Sequence, residues 1–490
     1  MRTNEIPAGI LPTNLGIYYG GAWHEPKSGV YQDTINPAFN EVITKAPVAD
    51  ATDVDAAVQA AQKAFPAWAS TPPARRAEYL RKAAAVLRAH AQPLALLDSL
   101  NNGNPISALM HDAGFAADCL DYFAGLATEI KGETIPMGDG NFNYTLQEPL
   151  GVVARIVAYN HPFMFAAAKM AAPLAAGNTV VMKSPDQAPL SILRLAELVG
   201  DVFPPGVVNF LCGGRECGDA MGRHPLVRKV TLIGGVLTGK AVMKTASDNL
   251  KPVLLELGGK NALIGFPDAN REKLVNGIIA GMNFTWSGQS CGSTSRVFLH
   301  ESIHDEVLAQ VVKLLPERHK AGVPTDPKTT MGSLVSQAQL DKVKHYVAVG
   351  LEDGGRLVCG GKQPSDFALK NGFFFEPTVF ADMKPSMRLA QEEVFGPIMS
   401  VFKWSDEDTL FEQVNGVDFG LTGSIWTQNL NTAHRAAKRI HTGYVWINNA
   451  SQHFIGAPFG GVKNSGIGRE ECFSELLEFT YTKNINLKLD

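Results

Sequence analysis

Short apolar runs alternate with helical patterns through the middle of the chain, and this rhythm restricts the fold more than any other feature. Each run is almost uniformly apolar, which is typical of strands buried on both faces of a sheet. Alternating strands and helices predict parallel strands joined by crossover helices. The predicted strands of this part are 152–158, 179–182, 207–211, 230–233 and 253–257, and the helices between them are 162–175 and 190–202.

The second half of the chain repeats the theme, whereas residues 1–130 read mainly as helices. Asp50 can cap one of these helices, and Pro73 opens the next. Since 490 residues exceed one ordinary core, we predict an α/β fold with two α/β domains. The strands predicted in the second half are 262–266, 296–299, 398–402, 421–426 and 444–447, with a helix at 303–315.

Two segments outside this rhythm alternate between apolar and polar residues, as half-buried strands do. They are 141–147, within the segment 131–149, and 479–489 near the C-terminal end. Together they can build a protruding sheet that pairs between subunits. Alternatively, the terminal strand is an edge strand of its own domain, and the pattern alone favours neither interpretation.

The charge and the cysteine pattern argue against several functional classes. A formal net charge of −4 leaves no cationic surplus for phosphate backbones, so we expect no nucleic-acid partner. No apolar run is long enough to span a bilayer, and the first residues lack the apolar core of a signal peptide. The six cysteines show no CxxC spacing, which argues against a disulfide framework or a zinc cage. We therefore expect a cytoplasmic protein without a membrane partner.

A thiol and a carboxyl lie in two glycine-containing segments whose small residues give a ligand access to them. Cys291 lies in the run Gly-Gln-Ser-Cys-Gly-Ser-Thr (288–294), whose small side chains leave the sulfur open to a small electrophile. Glu256 precedes Gly258 and Gly259, where the backbone can come close to a ligand and the acid can swing. The pair indicates covalent thiol catalysis with a separate general base.

A further motif, His-Glu-Ser-Ile-His at 300–304, matches the HExxH pattern of zinc proteases. That pattern needs both histidines on one helical face. Here the preceding residues read as a strand and Ser302 reads as the cap of the next helix, so His300 should precede the helix. We therefore predict no metal site.

The segments around Cys291 and Glu256 resemble the active-site signatures of the NAD(P)-dependent aldehyde dehydrogenase superfamily. The resemblance runs from the Tyr-Tyr-Gly-Gly segment at 18–21 to the segment 458–470 and covers nearly the whole chain. It implies a Rossmann-like parallel cofactor domain, an α/β catalytic domain and a small β oligomerisation flap. The implied boundaries are 1–130 and 150–258 for the NAD-binding domain, 259–470 for the catalytic domain, and 131–149 with 478–490 for the flap.

The resemblance also implies a mechanism of the hydrolytic, non-acylating type. Cys291 attacks the aldehyde carbon as a thiolate, and the Asn160 amide and the Cys291 backbone N–H stabilise the oxyanion. Hydride passes to a nicotinamide, which leaves a thioester. Glu256 then activates the water that hydrolyses the thioester to the acid. Lys169 matches a family lysine that assists proton relay.

Polar groups and glycines follow three strands of the predicted parallel sheet, where such sheets bind ligands. Lys183 and Asp186 can hydrogen-bond ribose hydroxyls, and Gly234 and Gly235 let a helix N-terminus approach a pyrophosphate. The chain departs from the family at Asp186, which replaces glutamate, and at Gly235, which replaces serine. An acid at position 186 should repel a 2′-phosphate, so we predict NAD rather than NADP. With the positions matched by resemblance, the predicted cofactor residues are Lys183, Asp186, Gly234, Gly235, Gly239, Leu257, Glu393 and Phe395.

By resemblance, aromatic side chains with polar tips line the aldehyde tunnel. We find no obvious carboxylate or guanidinium among them, and therefore predict a neutral, medium-sized aldehyde, aromatic aldehydes included. The alternative is an aminoaldehyde or betaine-aldehyde type of substrate, held over Tyr159 and Trp286 by cation–π attraction. The predicted substrate residues are Tyr159, His161, Phe165, Ala168, Trp286, His453 and Phe454.

Functions of other classes compete with this interpretation. A CoA-acylating dehydrogenase would pass the thioester to a thiol and would not need Glu256 as a base. A cofactor-free thiol hydrolase would leave the groups at the strand ends without a role, and a non-catalytic scaffold would not need the catalytic positions. The partners implied by the resemblance are a small-molecule aldehyde and further copies of the chain, in a homodimer or homotetramer.

Overall fold

The computed structural model describes residues 1–488, so the last two residues of the predicted flap lie outside the described part. The helices are α1 (Ala51–Ala69), α2 (Pro73–Ala89), α3 (Ala91–Asn102), α4 (Ile106–Leu126), α5 (Pro162–Lys169), α6 (Ala171–Ala176), α7 (Leu190–Val199), α8 (Arg215–Arg223), α9 (Val236–Ser247), α10 (Arg271–Gly281), α11 (Glu301–Arg318), α12 (Gln337–Glu352), α13 (Arg388–Gln391), α14 (Glu407–Asn415), α15 (Leu430–Arg439) and α16 (Phe473–Leu477).

The strands fall into two large sheets and three small ones. They are β1 (Ile17–Tyr19), β2 (Ala22–His24), β3 (Tyr31–Asn36), β4 (Glu41–Pro47), β5 (Thr134–Ile135), β6 (Asn141–Pro149), β7 (Val152–Ile156), β8 (Thr179–Lys183), β9 (Val208–Leu211), β10 (Val227–Ile233), β11 (Val253–Glu256), β12 (Ala262–Gly265), β13 (Arg296–His300), β14 (Arg356–Cys359), β15 (Thr378–Ala381), β16 (Ile398–Trp404), β17 (Phe419–Gly420), β18 (Thr422–Trp426), β19 (Tyr444–Ile447), β20 (Val462–Lys463), β21 (Gly466–Ile467) and β22 (Thr480–Lys488).

The first large sheet has the order β2-β1-β9-β8-β7-β10-β11-β21, and its five central strands are parallel. The chain winds outward from β7 through β8 to β9 on one side, and through β10 to β11 on the other. Neighbouring residues of β7 are buried on opposite faces, Val153 against one helix layer and Val152 against the other. This explains the uniformly apolar strands and confirms the predicted α/β fold. Such a sheet binds ligands where the winding direction reverses, here beyond the ends of β7 and β10.

The second large sheet has the order β14-β15-β16-β13-β12-β18-β19. All of its pairings are parallel except that of β14 with β15. The two large sheets correspond to the two halves of the rhythm in the sequence. The predicted domain boundaries remain predictions, and the short strand β21 pairs with β11 of the first sheet although it lies far downstream.

The strands β22, β6 and β5 form a separate three-stranded sheet. The long pairing of β22 with β6 is antiparallel and runs from Thr480 opposite Pro149 to Lys488 opposite Asn141. The prediction that these two segments pair is therefore confirmed. Among the described residues β22 joins neither large sheet and is an edge strand of this small sheet. Pairing of this sheet between subunits remains a prediction.

The structure differs from the sequence predictions at several local points. Residues 1–50 contain the strands β1 to β4, which the helical interpretation of this region missed. The helix predicted at 162–175 is broken at Met170 into α5 and α6. Pro173 explains the break, because it has no N–H to donate to the carbonyl of Lys169. The cap at Asp50 is as expected, since its side chain accepts from the backbone N–H groups of Thr52 and Asp53.

The HExxH motif is divided between two elements. His300 ends β13 and stands directly before α11, where its side chain accepts from the backbone N–H of Ser302. The cap is thus His300 rather than Ser302, but His300 precedes the helix as predicted. Within residues 1–488 no cluster of three or more side chains suited to a metal ion is found. The described part of the chain also contains no helix long and apolar enough to span a membrane.

Candidate active site

Four strands of the first sheet bring three polar residues and a glycine to one edge. Beyond β7 lies Asn160, β8 ends at Lys183, Gly234 follows β10, and β11 ends at Glu256. Because β7, β8, β10 and β11 are parallel neighbours, their carboxyl ends lie side by side. The sequence rhythm therefore places these four positions along a single crevice.

Cys291 reaches this crevice from the other large sheet. It lies in the loop between a 3₁₀ turn (Phe284–Trp286) and β13, and it is only partly buried. Asn261 holds the loop, because its Nδ2 donates to the carbonyl oxygens of Cys291 (2.7 Å) and Ser293 (3.0 Å). The sulfur is thus carried by a loop whose backbone is tied to the start of β12.

Two cavities meet at Cys291. The first has a volume of about 320 Å³ and extends along the ends of β7, β8 and β10. The second has a volume of about 280 Å³ and lies between α4, α5 and the Cys291 loop. Cys291, Glu256 and Asn160 line both of them. A ligand in either cavity can therefore approach the same thiol.

Glu256 and Cys291 influence each other's protonation. Burial raises the pKa of the Glu256 carboxyl to about 8, although its interaction with the Cys291 thiol opposes the shift. Burial also raises the pKa of Cys291 well above its ordinary value, and the charge of Glu256 adds to this. The Oε1 atom of Glu256 is buried and has no hydrogen-bond partner within residues 1–488. A carboxyl in this state can act as a base near neutral pH.

Asn160 is held through its backbone, which leaves its side chain for the cavities. The Asn160 carbonyl accepts hydrogen bonds from Asn104 Nδ2 (2.7 Å) and Asn102 Nδ2 (3.3 Å). Its side-chain Oδ1 is buried and has no protein partner in the described part of the chain. Both cavities include Asn160 in their walls. The arrangement suits an amide that donates to a ligand oxygen beside the thiol.

Lys169 belongs to a buried ionic network behind Glu256. Its Nζ lies 3.0 Å from Glu470 Oε2 and 3.4 Å from Glu471 Oε1, and Arg155 pairs with Glu470 and Glu475. Burial alone would lower the pKa of Lys169, but the three glutamates raise it above its ordinary value. The lysine is therefore a fixed cation close enough to act on Glu256.

Most of the predicted cofactor residues lie along the first cavity. Lys183 Nζ and Asp186 Oδ1 are 3.1 Å apart at its edge. Glu393 Oε1 accepts from the backbone N–H of Gly259 at 2.9 Å. The predicted residues that line this cavity are Lys183, Asp186, Gly234, Gly235, Glu393 and Phe395.

Two predicted cofactor positions do not line that cavity. Gly239 lies on α9 directly against Leu257, and a Cβ at position 239 would come within 2.6 Å of the Leu257 side chain. Leu257 is buried, and its N–H donates to the carbonyl of Ser465. The structure therefore places this pair in the packing of α9 against the sheet.

The predicted substrate residues are divided between the two cavities, the buried core and the exposed surface. His161, Phe165, Trp286 and His453 line the second cavity. Tyr159 lines the first cavity instead, where its ring contacts that of Phe395 at 5.8 Å between centroids.

Ala168 and Phe454 lie in neither cavity wall. Ala168 is buried in the core around α5. Phe454 is 53% exposed. Neither residue supports the predicted substrate lining.

The second cavity is more acidic than the sequence indicated. The expectation of a lining without carboxylates is wrong, because Asp112, Glu470 and Glu471 also form its wall. Each of them has a cationic or imidazole partner. Asp112 pairs with His161, Glu470 with Lys169, and Glu471 with both Lys169 and His453.

Sequence reasoning missed these acids because they come from distant elements. Asp112 lies on the buried face of α4 together with Leu109 and Ala116. A polar residue within the apolar face of a helix is a sequence signal that could have identified Asp112. Glu471 directly follows Glu470, the last residue of the segment 458–470, but nothing in a run of two acids indicates burial.

Comparisons with known proteins give the family. A model described as the aldehyde dehydrogenase family matches residues 23–485. The chain is 54% identical over 485 residues to the aldehyde dehydrogenase tropH of Talaromyces stipitatus, covering 98% of this chain and 94% of that protein. It is 40% identical over 470 residues to the betaine aldehyde dehydrogenase of Mesorhizobium japonicum, with 96% of each covered.

A solved structure shares the fold over almost its full length. PnpE from Pseudomonas sp. WBC-3, in complex with nicotinamide adenine dinucleotide, matches with a TM-score of 0.95 at 41% identity over 98% of each chain. The resemblance drawn from the motifs is thereby confirmed. Because family model, sequence relatives and fold agree over nearly all of its length, this chain belongs to the aldehyde dehydrogenase family.

Proposed function

We propose that this protein oxidises a neutral, medium-sized aldehyde to its carboxylic acid with NAD, using Cys291 as the nucleophile. One observation carries the proposal: Cys291, Glu256 and Asn160 line both cavities. An aldehyde in the second cavity and a nicotinamide in the first would then meet at one sulfur. A thiol hydrolase would have no use for the first cavity, and a CoA-acylating enzyme would have no use for Glu256.

In the first step the Cys291 thiol gives up its proton to water and attacks as a thiolate. Its sulfur forms a bond to the carbonyl carbon, and the electron pair of the C=O bond moves to the oxygen. Asn160 Nδ2 and the Cys291 N–H donate hydrogen bonds to that oxygen, and one such donor is typically worth roughly 10²–10³ in rate. The electron pair on that oxygen then re-forms the C=O bond as the C–H bond breaks, which leaves a thioester on Cys291. NAD, when bound in the first cavity, would accept the hydride.

In the second step Glu256 serves as the base that opens the thioester on Cys291. It takes a proton from a water molecule while the water oxygen attacks the thioester carbon. The C–S bond then breaks, the acid leaves, and the sulfur returns as a thiolate. Lys169 and Glu470 act on the charge of Glu256, so they influence where its proton is held.

The first cavity fits a dinucleotide at both ends. A Cβ at Gly235 would meet open space, and no side chain caps α9, so the N–H groups of the first turn of α9 are available to a pyrophosphate. Lys183 and Asp186 suit ribose hydroxyls, and a further cavity of about 480 Å³ adjoins them. Glu393 and Phe395 stand toward Cys291, where we place the nicotinamide ribose and ring.

The neutral character of the substrate rests on the pairing within the second cavity. Asp112, Glu470 and Glu471 are paired with His161, Lys169 and His453, so none of these three carboxylates requires a cationic ligand. A cationic aldehyde is the second candidate, because carboxylates outnumber fixed cations in this wall and Trp286 and Trp446 offer aromatic faces. A relative named betaine aldehyde dehydrogenase is consistent with that candidate.

The test follows reduced nicotinamide with NAD or NADP and a panel of benzaldehyde, an ω-aminoaldehyde and betaine aldehyde, each with and without CoA. We expect NADH from benzaldehyde without CoA, and no activity in Cys291→Ala. Cys359→Ala is the matched control, because that thiol is also partly buried but lies on β14, away from both cavities. A higher kcat/KM for the cationic aldehydes would contradict the proposal of a neutral substrate. NADH formed only with CoA would contradict the hydrolytic step. Turnover by Cys291→Ala would contradict the role of Cys291 as the nucleophile.

For assembly we infer a homodimer or homotetramer joined through the sheet of β5, β6 and β22. Phe142, Leu146 and Leu487 of this sheet are between 40% and 48% exposed, and a second copy would cover them. Light scattering on the purified protein tests the inference. A monomer at micromolar concentration would contradict it.

A further inference from the structure

His161 and Asp112 form a hydrogen-bonded pair in the wall of the second cavity that the steps at Cys291 do not use. His161 Nδ1 lies 2.8 Å from Asp112 Oδ2, and the two side chains are only 12% and 7% exposed. His161 follows Asn160 directly and stands at the start of α5. The pair therefore lies beside the proposed reaction centre, in the same wall.

The imidazole of His161 is held by two aromatic neighbours. Its ring centroid lies 4.6 Å from that of Trp286 and 5.6 Å from that of Phe165, both in edge-on contact. These contacts and the bond to Asp112 leave the ring little freedom. A polar group with so little freedom can impose direction on a ligand.

The partner of Nδ1 decides what the other ring nitrogen can do. A carboxylate only accepts hydrogen bonds, so Nδ1 carries the proton and donates to Asp112. In the neutral ring Nε2 is then an acceptor. Within residues 1–488 the imidazole makes its one hydrogen bond through Nδ1, and His161 lines the cavity. Nε2 is thus the atom that remains for a ligand.

Four ionisable groups of this wall, Lys169, His453, Glu470 and Glu471, pair with one another. Lys169 pairs with Glu470 and Glu471, and His453 pairs with Glu471. The wall also contains the apolar side chains of Phe115, Met164, Phe165, Trp286 and Trp446. When a purely apolar ligand displaces water from a hydrogen-bond acceptor in such surroundings, the acceptor is left unpaired, and this costs binding free energy.

We propose that His161 Nε2 accepts a hydrogen bond from a hydroxyl group of the substrate, which makes hydroxylated neutral aldehydes, such as hydroxybenzaldehydes, the preferred class. The inference rests on the proposed function, because it names the substrate class of the same site. Asp112 is a positioning residue that acts through the tautomer of His161. A site that pairs with a substrate hydroxyl discriminates strongly against the analogue without it.

The experiment compares kcat/KM for 3- and 4-hydroxybenzaldehyde with kcat/KM for benzaldehyde within each enzyme variant. This ratio does not depend on how much of a variant is folded. In the wild type we expect roughly a 10- to 100-fold preference for one hydroxy isomer. In His161→Phe the ratio should fall to about 1, since no acceptor remains.

Asp112→Asn tests the positioning role. An asparagine amide can donate to Nδ1 and turn Nε2 into a donor, so the ratio should fall below that of the wild type while a hydrogen bond at the same place is retained. His434→Phe is the matched control, because it makes the same exchange on the exposed side of α15. It should keep the wild-type ratio.

Three results would overturn the inference. One is a wild type without preference for either hydroxy isomer, and another is a His161→Phe variant that keeps the preference. The third is a higher kcat/KM for 4-carboxybenzaldehyde than for both hydroxy isomers, which would mean that a charged imidazole binds an anion. In all three cases oxidation of benzaldehyde would still support the proposed function, whereas a failure of every aldehyde to reduce NAD or NADP would refute both.

Discussion

Glu256 at the end of β11 and Glu471 in the segment before α16 are two buried carboxyls of one site with opposite behaviour. Burial raises the pKa of Glu256 to about 8. Burial acts in the same direction on Glu471, but Lys169 and His453 outweigh it and lower the pKa of Glu471 to about 2. Adjacent cations therefore decide whether a buried acid stays charged or becomes a base near neutral pH.

The hydrogen bonds of the two regions differ in the same sense. Glu256 Oε1 is buried and has no partner among the described residues. Glu471 reaches Lys169 at 3.4 Å and His453 at 3.3 Å. Glu256 at the end of β11 thus keeps a free acceptor atom, which suits a reacting group. Glu471 in the segment before α16 has its hydrogen bonds filled, which suits a structural role.

The largest effect is expected from Glu256→Gln, which keeps the shape of the base but removes its function. Loss of the negative charge lowers the pKa of Cys291, so the first attack proceeds. Hydrolysis of the thioester then lacks its base, and steady turnover should fall roughly 10²–10⁴-fold. Stopped-flow measurement should show one equivalent of NADH per active site followed by a stall, and steady turnover at the wild-type rate would rule out Glu256 as the base.

A second prediction concerns Lys169→Met, which removes the cation that pairs with Glu470 and Glu471. Glu470 and Glu471 then lack their shared cation in a buried place, and removal of one partner from a buried pair typically costs about 3–5 kcal/mol in the free energy of unfolding. Urea denaturation measures the loss. Lys483→Met is the control, because its pair with Glu148 is exposed and should contribute little. Equal losses in the two variants would contradict the comparison.

The comparison also predicts opposite dependences of stability on pH. The ordinary carboxyl pKa is 4.5, so Glu256 with its raised pKa should cost stability progressively as the pH rises from 4.5 to about 8. Glu471 with its lowered pKa should add stability above pH 4.5 and lose that contribution as the pH falls toward about 2.

Each of these slopes can reach about 1.4 kcal/mol per pH unit. Urea denaturation across the pH range should show that Glu256→Gln weakens the dependence of stability on pH between 4.5 and about 8. Glu471→Gln should weaken it between about 2 and 4.5. If either variant weakened it in the other's pH range instead, the assignment of the two pKa shifts would be wrong.

The smallest effect is expected at an acid that is neither buried nor part of the network. The Asp186 side chain is 40% exposed and pairs with Lys183. Its charge should repel a 2′-phosphate by about 1 kcal/mol in a water-like medium. Asp186→Ser should therefore raise the ratio of kcat/KM for NADP over NAD roughly fivefold, whereas Asp408→Ser, far from the cavities, should leave it unchanged. A fall in that ratio would contradict the role of Asp186.

Patterns within single segments predicted much of the fold and part of the site. The apolar runs located the strands of both large sheets, and the position of Asn160, Lys183 and Glu256 at strand ends followed from parallel pairing. The break at Met170 was also readable, because Pro173 lacks the N–H that a continuous helix needs.

Contacts between distant segments could not be read in the same way. Asp112 comes to His161 from α4, and Glu471 comes to Lys169 from the other end of the chain. Their partners are fixed by tertiary packing, so local charge patterns gave no sign that they form the wall of a cavity. For the same reason the assignment of Tyr159 and Phe165 to one tunnel was too simple, since the structure separates them into different cavities.

The pairing of β22 with β6 has a consequence for how the protein is made. Tyr481 bonds to Glu148 across 333 positions of the chain. At synthesis rates of about 5–20 residues per second, β6 leaves the ribosome roughly 17–67 s before its partner strand exists. During that interval its unsatisfied backbone edge and the side chains of Phe142 and Leu146 are open to any other strand. A nascent chain of this protein therefore exposes the edge of β6 to aggregation until β22 has been synthesised.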